Sequence, residues 1–239
     1  MAPSETIDFV VPVYNEGKNI ASMLRELYDG VPLTKRVLIV YDFDEDDTVA
    51  AVKSLGARYD GVVLVKNRHG RGVLNAIRTG IDEAIGDVVI VTMADLSDDV
   101  AVIPRMAALI RERRADIVCA SRYMKGGRQI GGPLLKRTLS RLAGLSLHLA
   151  GFPVHDATNA FRAYRREVLQ AIPIESDGGF EYSLELTAKA WAAGYRIAEV
   201  PSTWRDRTAG ESRFRLRKWL PGYLRWYWYA LRHRPAGQG

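Results

Sequence analysis

The sequence predicts an α/β fold with a mostly parallel central sheet and helices on both faces. Two observations predict it. Apolar runs of strand length recur at Ile7 to Val13, Arg36 to Val40, Gly61 to Val65, Asp87 to Thr92 and Asp116 to Ala120. Between them lie longer stretches with helical spacing, such as Ile20, Met23, Leu24 and Leu27, and later Val73, Ile77, Ile81 and Ala84. The 239 residues are enough for one large domain, which at this size buries roughly 70 to 75 per cent of its unfolded surface.

In sheets of this kind ligands bind beyond the carboxyl ends of the strands, so the segments after each strand are where chemistry is expected. The first strand is followed by Pro12-Val13-Tyr14-Asn15-Glu16-Gly17-Lys18-Asn19, and the second by Tyr41-Asp42-Phe43-Asp44-Glu45-Asp46-Asp47-Thr48. Asn67-Arg68-His69-Gly70-Arg71-Gly72 follows the third, and Met93-Ala94-Asp95-Leu96-Ser97-Asp98-Asp99 the fourth. Carboxylates with glycines and arginines at adjoining strand ends suit a nucleotide phosphate neutralised by a divalent cation. A helix over Val100 to Arg113 comes next, and past residue 121 the strict alternation stops. Residues 133–151 are apolar nearly all round, which predicts a helix that is either buried on much of its surface or in contact with lipid. A turn at Pro153, the run His155 to Arg162 and a helix from Phe180 to Gly194 complete the body.

The net charge is +6, unevenly spread. Residues 117–155 carry six Lys or Arg and no acid, and residues 213–234 carry seven and no acid. The remainder holds 21 basic against 28 acidic residues, a body at −7. Such a partition points to a local anionic target rather than to nucleic acid. The single cysteine, Cys119, permits no internal disulfide and no multi-cysteine metal site, and it fits a reducing, cytoplasmic setting. The sequence contains neither a run of about 18 apolar residues nor a signal-peptide pattern, so a chain that is neither secreted nor membrane-spanning is expected. The last basic segment combines its seven cations with Trp219, Tyr223, Trp226, Tyr227, Trp228 and Tyr229. This is the composition of a peripheral helix at an anionic membrane surface, or of a terminal helix packed back on the domain or on a second subunit.

Taken together and in order, FVVPVYNEGKNI, the acidic loop, NRHGRGVLNAIRTGI, MADLSDD, ASRYMKGG, HDATNAFRAYRREVL, GFEYSLELTAKAWAAGYRIAEVP and WRDRTAGESRFRL resemble the family 2 glycosyltransferases, most of all those acting on polyprenol (dolichol) phosphate. The resemblance implies a GT-A, Rossmann-like fold, a GDP- or UDP-hexose donor, Mg²⁺ or Mn²⁺, and inversion at the anomeric carbon. It implies a catalytic domain over 1–212, followed by a basic aromatic extension over 213–239.

By the same resemblance Pro12, Tyr14, Glu16, Asp42, Arg71, Ala94 and Asp95 line the donor, and Asp95 holds the metal. Pro12 and Tyr14 could equally shape a turn, and Asp42 could cap the helix after it. The family motif is Asp-x-Asp, and Met93 stands where its first carboxylate belongs; a thioether is a poor ligand for a hard cation. Asp98 or Asp99 either adds a carboxylate or supplies N-terminal charge to the following helix. Arg122, Arg137, Arg207 and Arg213, the last two in a late loop with Glu211 and Ser212, match positions that meet phosphate groups. Asp156 matches an acidic residue that acts as a general base or positions the acceptor, while His155, His69, His148 and His233 read as structural. The acceptor expected is a polyprenyl phosphate. A soluble sugar, nucleoside or natural-product acceptor is the alternative, with Asp156 then the base, and a nucleotide-binding pseudoenzyme is a third reading prompted by Met93.

Overall fold

The computed structural model describes residues 6–206, 216–233 and 235. Its principal sheet is built from β1 (Ile7–Pro12), β2 (Lys35–Tyr41), β3 (Val62–Lys66), β4 (Val88–Val91), β5 (Ile117–Ser121), β7 (Arg162–Arg165) and β8 (Ile197–Pro201). Their order is β3-β2-β1-β4-β7-β5-β8. Every neighbouring pair is parallel except those of β7, which runs antiparallel between β4 and β5. β6 (Arg128–Ile130) and β9 (Thr203–Arg205) form a separate parallel pair. The expected strands are present. β6 to β9 were not anticipated, because RAYR and IAEVP are short, carry charges and lack a continuous apolar run.

All six β1 residues are buried, as a strand covered on both faces requires. Its side chains alternate: Ile7, Phe9 and Val11 pack with Ile20, Leu24 and Leu27 of α1 (Ile20–Gly30) and Ile103 and Met106 of α4 (Ile103–Arg111). Val10 packs on the other face, where α3 (Val73–Glu83) and α7 (Tyr182–Ala192) lie. α3 can approach β1 closely because residue 80 is Gly; a Cβ there would overlap the Val10 side chain. α2 (Asp47–Ser54) and α6 (Arg166–Ala171) are shorter. The strand order reverses between β1 and β4, which makes their carboxyl ends the crevice of the fold.

Two helices complete the body. α5 (Leu134–Leu149) buries only Gly144 and Leu147. Leu134, Leu135, Leu139, Leu142, Leu145 and Leu149 are 43–78% exposed. Their spacing collects them on one outward face. Of the two options the sequence left for this helix, extensive burial is therefore excluded. α8 (Leu216–Arg232) lies against α7 and α5, with Trp226 and Ala230 buried in the α7-side core and the Tyr227 hydroxyl 2.9 Å from Ser146 Oγ. The boundary expected at residue 212 thus separates segments that share one core.

Candidate active site

The loops after β1, β2 and β3 are fastened to one another by side chains of the acidic segment. The Asp46 carboxylate caps α2 by accepting from Thr48 N (2.9 Å) and also accepts from Asn15 N (3.0 Å). Gly17 N donates to Asp47 Oδ1 (2.8 Å) and Glu16 N to Thr48 Oγ1 (2.9 Å). The Glu16 side chain accepts from Asn19 Nδ2 (2.7 Å), closing the turn into α1. The helix cap is therefore Asp46, while Asp42 reaches the third loop, accepting from Asn67 Nδ2 (2.7 Å) and from Gly72 N (2.9 Å). Gly72 has φ 125°, a backbone that suits glycine, and is the residue before α3. Above these loops the half-exposed Tyr14 ring meets Phe43 edge-on at 5.3 Å, and the Arg71 guanidinium lies 5.5 Å from the Phe43 ring. Pro12, at the end of β1, and Ala94 are buried beneath them.

At the end of β4, Asp95 is 7% exposed and accepts from Ser97 N (3.1 Å). The Asp98 carboxylate turns back onto the strand end, accepting from Thr92 Oγ1 (2.9 Å) and Met93 N (3.3 Å). Burial, and next the negative charge of Asp95, push the Asp98 carboxyl up to about 7. Asp99 is the residue that caps the turn leading into α4, accepting from Ala101 N (3.2 Å). Asp99 thus supplies the helix cap, and Asp98 is a second carboxyl group acted on by Asp95. Met93, with Met23, Leu27 and Leu96, lines a crevice of about 10 Å³ against α1.

Arg122, just after β5, is gripped by Asp156. Arg122 N, Nε and Nη2 donate to that carboxylate at 3.0, 2.7 and 2.9 Å, and Nη2 also donates to Thr158 Oγ1 (3.0 Å). Asp156 is fully buried and accepts in addition from Asn159 N (3.2 Å). Burial alone would raise its pKa, but the Arg122 charge and hydrogen bonds hold it below the ordinary carboxylate range. The charge of Arg122 also acts, weakly, on Asp98 at the end of β4. Arg137, in the first turn of α5, is half-buried, and its charge reaches the Tyr123 phenol, on whose ring Arg122 lies at 4.8 Å. The structure thus joins Arg122 to Asp156 directly and puts Asp98 within the electrostatic reach of Asp95 and Arg122, while Arg137 acts on Tyr123, the ring under Arg122. Arg207 and Arg213, with Glu211 and Ser212, lie outside the described residues.

Several residues that organise this site were not singled out by the sequence. Arg162 is fully buried and donates to the carbonyls of Asn159 (2.8 Å), Ala157 (2.8 Å) and Ser183 (2.5 Å), tying the Asp156 loop to α7. Glu199 of β8 accepts from the backbone of His155 (2.7 Å) and Asp156 (3.0 Å) and pairs with His155 Nδ1 (2.7 Å), while His148 stacks on His155 at 3.7 Å. Both histidines are built into the scaffold. Glu181 holds Gly178 N and Gly179 N on Oε1, and its buried Oε2 has no hydrogen-bond partner among the described residues. An acidic residue beside two glycines before a helix was the available signal for it, but such runs also mark ordinary turns.

Residues 8–172 match the Glycosyl transferase family 2 domain. The chain is 31% identical over 218 residues to the polyprenol monophosphomannose synthase of Mycolicibacterium smegmatis, covering 88% of this chain and 82% of that protein. It is 29% identical over 214 residues to the dolichol-phosphate mannosyltransferase of Pyrococcus furiosus, a match that covers 87% of this chain but only 59% of that longer protein. Among solved structures, glucosyl-3-phosphoglycerate synthase from Mycobacterium tuberculosis, in complex with Mn²⁺, UDP and glucosyl-3-phosphoglycerate, superposes with a TM-score of 0.70 at 17% identity. That match covers 98% of this chain and 82% of the other, a likeness of fold. With a GT-A sheet, strand-end loops joined into one crevice and a family match over most of its length, the chain belongs to glycosyl transferase family 2 and is a glycosyltransferase.

Proposed function

We propose that this glycosyltransferase moves a hexose, with inversion, from a nucleotide diphosphate sugar to a polyprenyl phosphate at the cytoplasmic face of a membrane. The observation that carries the lipid acceptor is α5. Its first turn carries Arg137, whose charge reaches the Tyr123 ring that Arg122 overlies, and the same helix then presents six exposed leucines. A phosphate held by the arginines has an apolar surface leading away from it, which suits an isoprenoid chain and which a small soluble acceptor does not need. Leu220, Leu224 and Trp228 of α8, each 41–52% exposed, add to that surface. No helix among the described residues is long and apolar enough to cross a membrane, and in this reading α5 and α8 are the surfaces that meet it. Mannose is the sugar suggested by the 31% identical relative.

The donor lies across the ends of β1 to β4. Tyr14, Phe43 and Arg71 flank the base and ribose, and Asp42 holds the Gly70-Arg71-Gly72 turn in place by its bond to Gly72 N. The described residues contain no cluster of three or more metal-ligating side chains, so a divalent cation at the β4 end would rest on Asp95 and Asp98 together with the donor's own phosphate oxygens; the repulsion of Asp95 that raises the Asp98 carboxyl is what such a cation would relieve. Asp98 supplies the carboxylate that Met93 lacks. Bound there, Mg²⁺ or Mn²⁺ would neutralise the diphosphate and make it a better leaving group.

Arg122 and Arg137 hold the acceptor phosphate. Its oxygen attacks the anomeric carbon from the face opposite the diphosphate, so a new C–O bond forms as the bond to the nucleoside diphosphate breaks. A phosphate monoester is already ionised at neutral pH and needs no general base. Asp156, buried and occupied by the Nε and Nη2 edge of Arg122, acts by fixing that guanidinium so that Nη1 is the donor turned to a phosphate, rather than by taking a proton.

Radiolabelled GDP- and UDP-hexoses, incubated with Mn²⁺ and polyprenyl phosphate and then extracted into organic solvent, test the assignment. Label in the lipid phase that depends on metal is expected. Label transferred only to a soluble acceptor such as 3-phosphoglycerate would overturn the lipid reading and establish the soluble one.

A further inference from the structure

On the side of α8 turned away from α5 lies an open cleft of about 400 Å³ that the transfer reaction does not use. α7 provides Lys189, the segment before it provides Glu175, and α8 provides Arg225, Trp228, Arg232 and His233. Lys189 is held by Glu175 (2.8 Å) and by the buried Glu185 (2.7 Å), and Arg225 pairs with the same Glu175 at 2.6 Å. Arg225 and Glu175 are both at least half exposed, and ion pairs of that kind hold only weakly against a competing anion. Arg232 has no acid partner among the described residues and lies 6.0 Å from the Trp228 ring. His233 bonds the Tyr229 carbonyl through Nδ1, leaving Nε2 directed elsewhere, and stacks on the Tyr229 ring. With Lys189 compensated by Glu185, the two arginines Arg225 and Arg232 face one exposed acid, Glu175, among aromatic walls, and planar cations so placed match a phosphate carried on an apolar body.

We infer that this cleft binds the phosphate headgroup of an anionic phospholipid. The inference rests on the reading of α5 and α8 as a membrane-facing surface. What selects a lipid over a free phosphate is Trp228, which lines the cleft and also extends the exposed row of Leu220 and Leu224 at i, i+4 and i+8. A headgroup seated between Arg225 and Arg232 therefore has its acyl chains beside apolar side chains. Trp228 sits at the polar boundary, where tryptophan is favoured in membranes. Because α8 is packed into the body, a lipid bound this way orients the whole domain on the membrane, which the leucine surface alone does not do.

The test uses the full chain and vesicles that contain no polyprenyl phosphate. One set mixes phosphatidylcholine with phosphatidylglycerol, and a second carries the same surface charge as oleate. Severalfold tighter binding to the phosphatidylglycerol set is expected. An R225Q/R232Q double variant is expected to bind that set about 25-fold more weakly, at roughly fivefold per cation removed near a bilayer. Arg232→Lys, which keeps the charge but loses the planar fork, is expected to lose the preference for phosphatidylglycerol over oleate. Equal binding of the native chain to both sets, or unchanged binding by the double variant, would overturn the inference. Release from the vesicles by equimolar free glycerol 3-phosphate would also overturn it, since the ligand would then be a soluble phosphate. Transfer to polyprenyl phosphate in detergent solution is measured in parallel. Its failure in the native chain would count against the proposed function and leave the vesicle result standing.

Discussion

Replacing Asp156 with Asn changes one oxygen to an amide nitrogen at the most densely bonded carboxylate of the site. The native group is fully buried and accepts three bonds from Arg122, itself only 9% exposed at the side chain. In the variant an amide N–H faces one of those donors, and the guanidinium is left in the interior without its counter-charge. Breaking a buried ion pair from one side costs about 3–5 kcal/mol. For a chain of this length that lowers Tm by roughly 10 °C, taking about 2–4 °C per kcal/mol. The pH dependence identifies the cause. Because the folded pKa of Asp156 is depressed, its contribution is complete above the unfolded value of about 3.9 and is lost as pH falls through the folded value. Urea unfolding is therefore expected to show a constant gap between native and D156N chains from pH 7 to 5, narrowing only below about pH 4. A gap under about 1 kcal/mol at pH 7 would refute the argument. So would a gap that closes between pH 7 and 5, which is the behaviour of a carboxylate poised as a base.

Other expectations concern the metal ligands, the leucine face and the packing of α3. Met93→Asp places a third carboxylate by Asp95 and Asp98; it is expected to lower the melting temperature without metal and to give a larger Mn²⁺-dependent rise than the native chain shows, read by thermal shift. Leu142→Glu with Leu145→Glu is expected to abolish sedimentation with phosphatidylglycerol vesicles while shifting unfolding by under about 1 kcal/mol, because both side chains are already exposed. Gly80→Ala is expected to cost about 1–3 kcal/mol in urea unfolding, since its methyl must displace Val10 in a packed helix–strand contact. Asp42→Ala is expected to weaken nucleotide binding in calorimetry about tenfold, as a bond to a charged acceptor that fixes Gly72 is removed.

Local physics made much of this molecule legible. Buried parallel strands must be apolar throughout and helices must repeat at their own period, so β1 to β5, α1 and α3 could be read directly from residue spacing. The polar loops at the strand ends were legible for the same reason, because a parallel sheet places all of them at one edge. The short strands were not: β7 and β8 hold Arg162 and Glu199 in the interior, and a buried charge is tolerable only when distant partners such as the Ser183 carbonyl or the His155 backbone arrive to meet it.

The same division runs through the site. Sequence alone determined which residue types stand at each strand end, the loss of a carboxylate at Met93, and the separation of an acidic body from two acid-free basic segments. Tertiary structure alone decided what each side chain does. Asp46, rather than Asp42, caps α2, Asp98 turns back beside Asp95, and Asp156 is consumed by Arg122. Folding also decided that the leucines of α5 face outward, since a helix apolar nearly all round can be covered from any direction. Only the placement of its neighbours, with Gly144 and Leu147 against the body, determines which face is left for another surface.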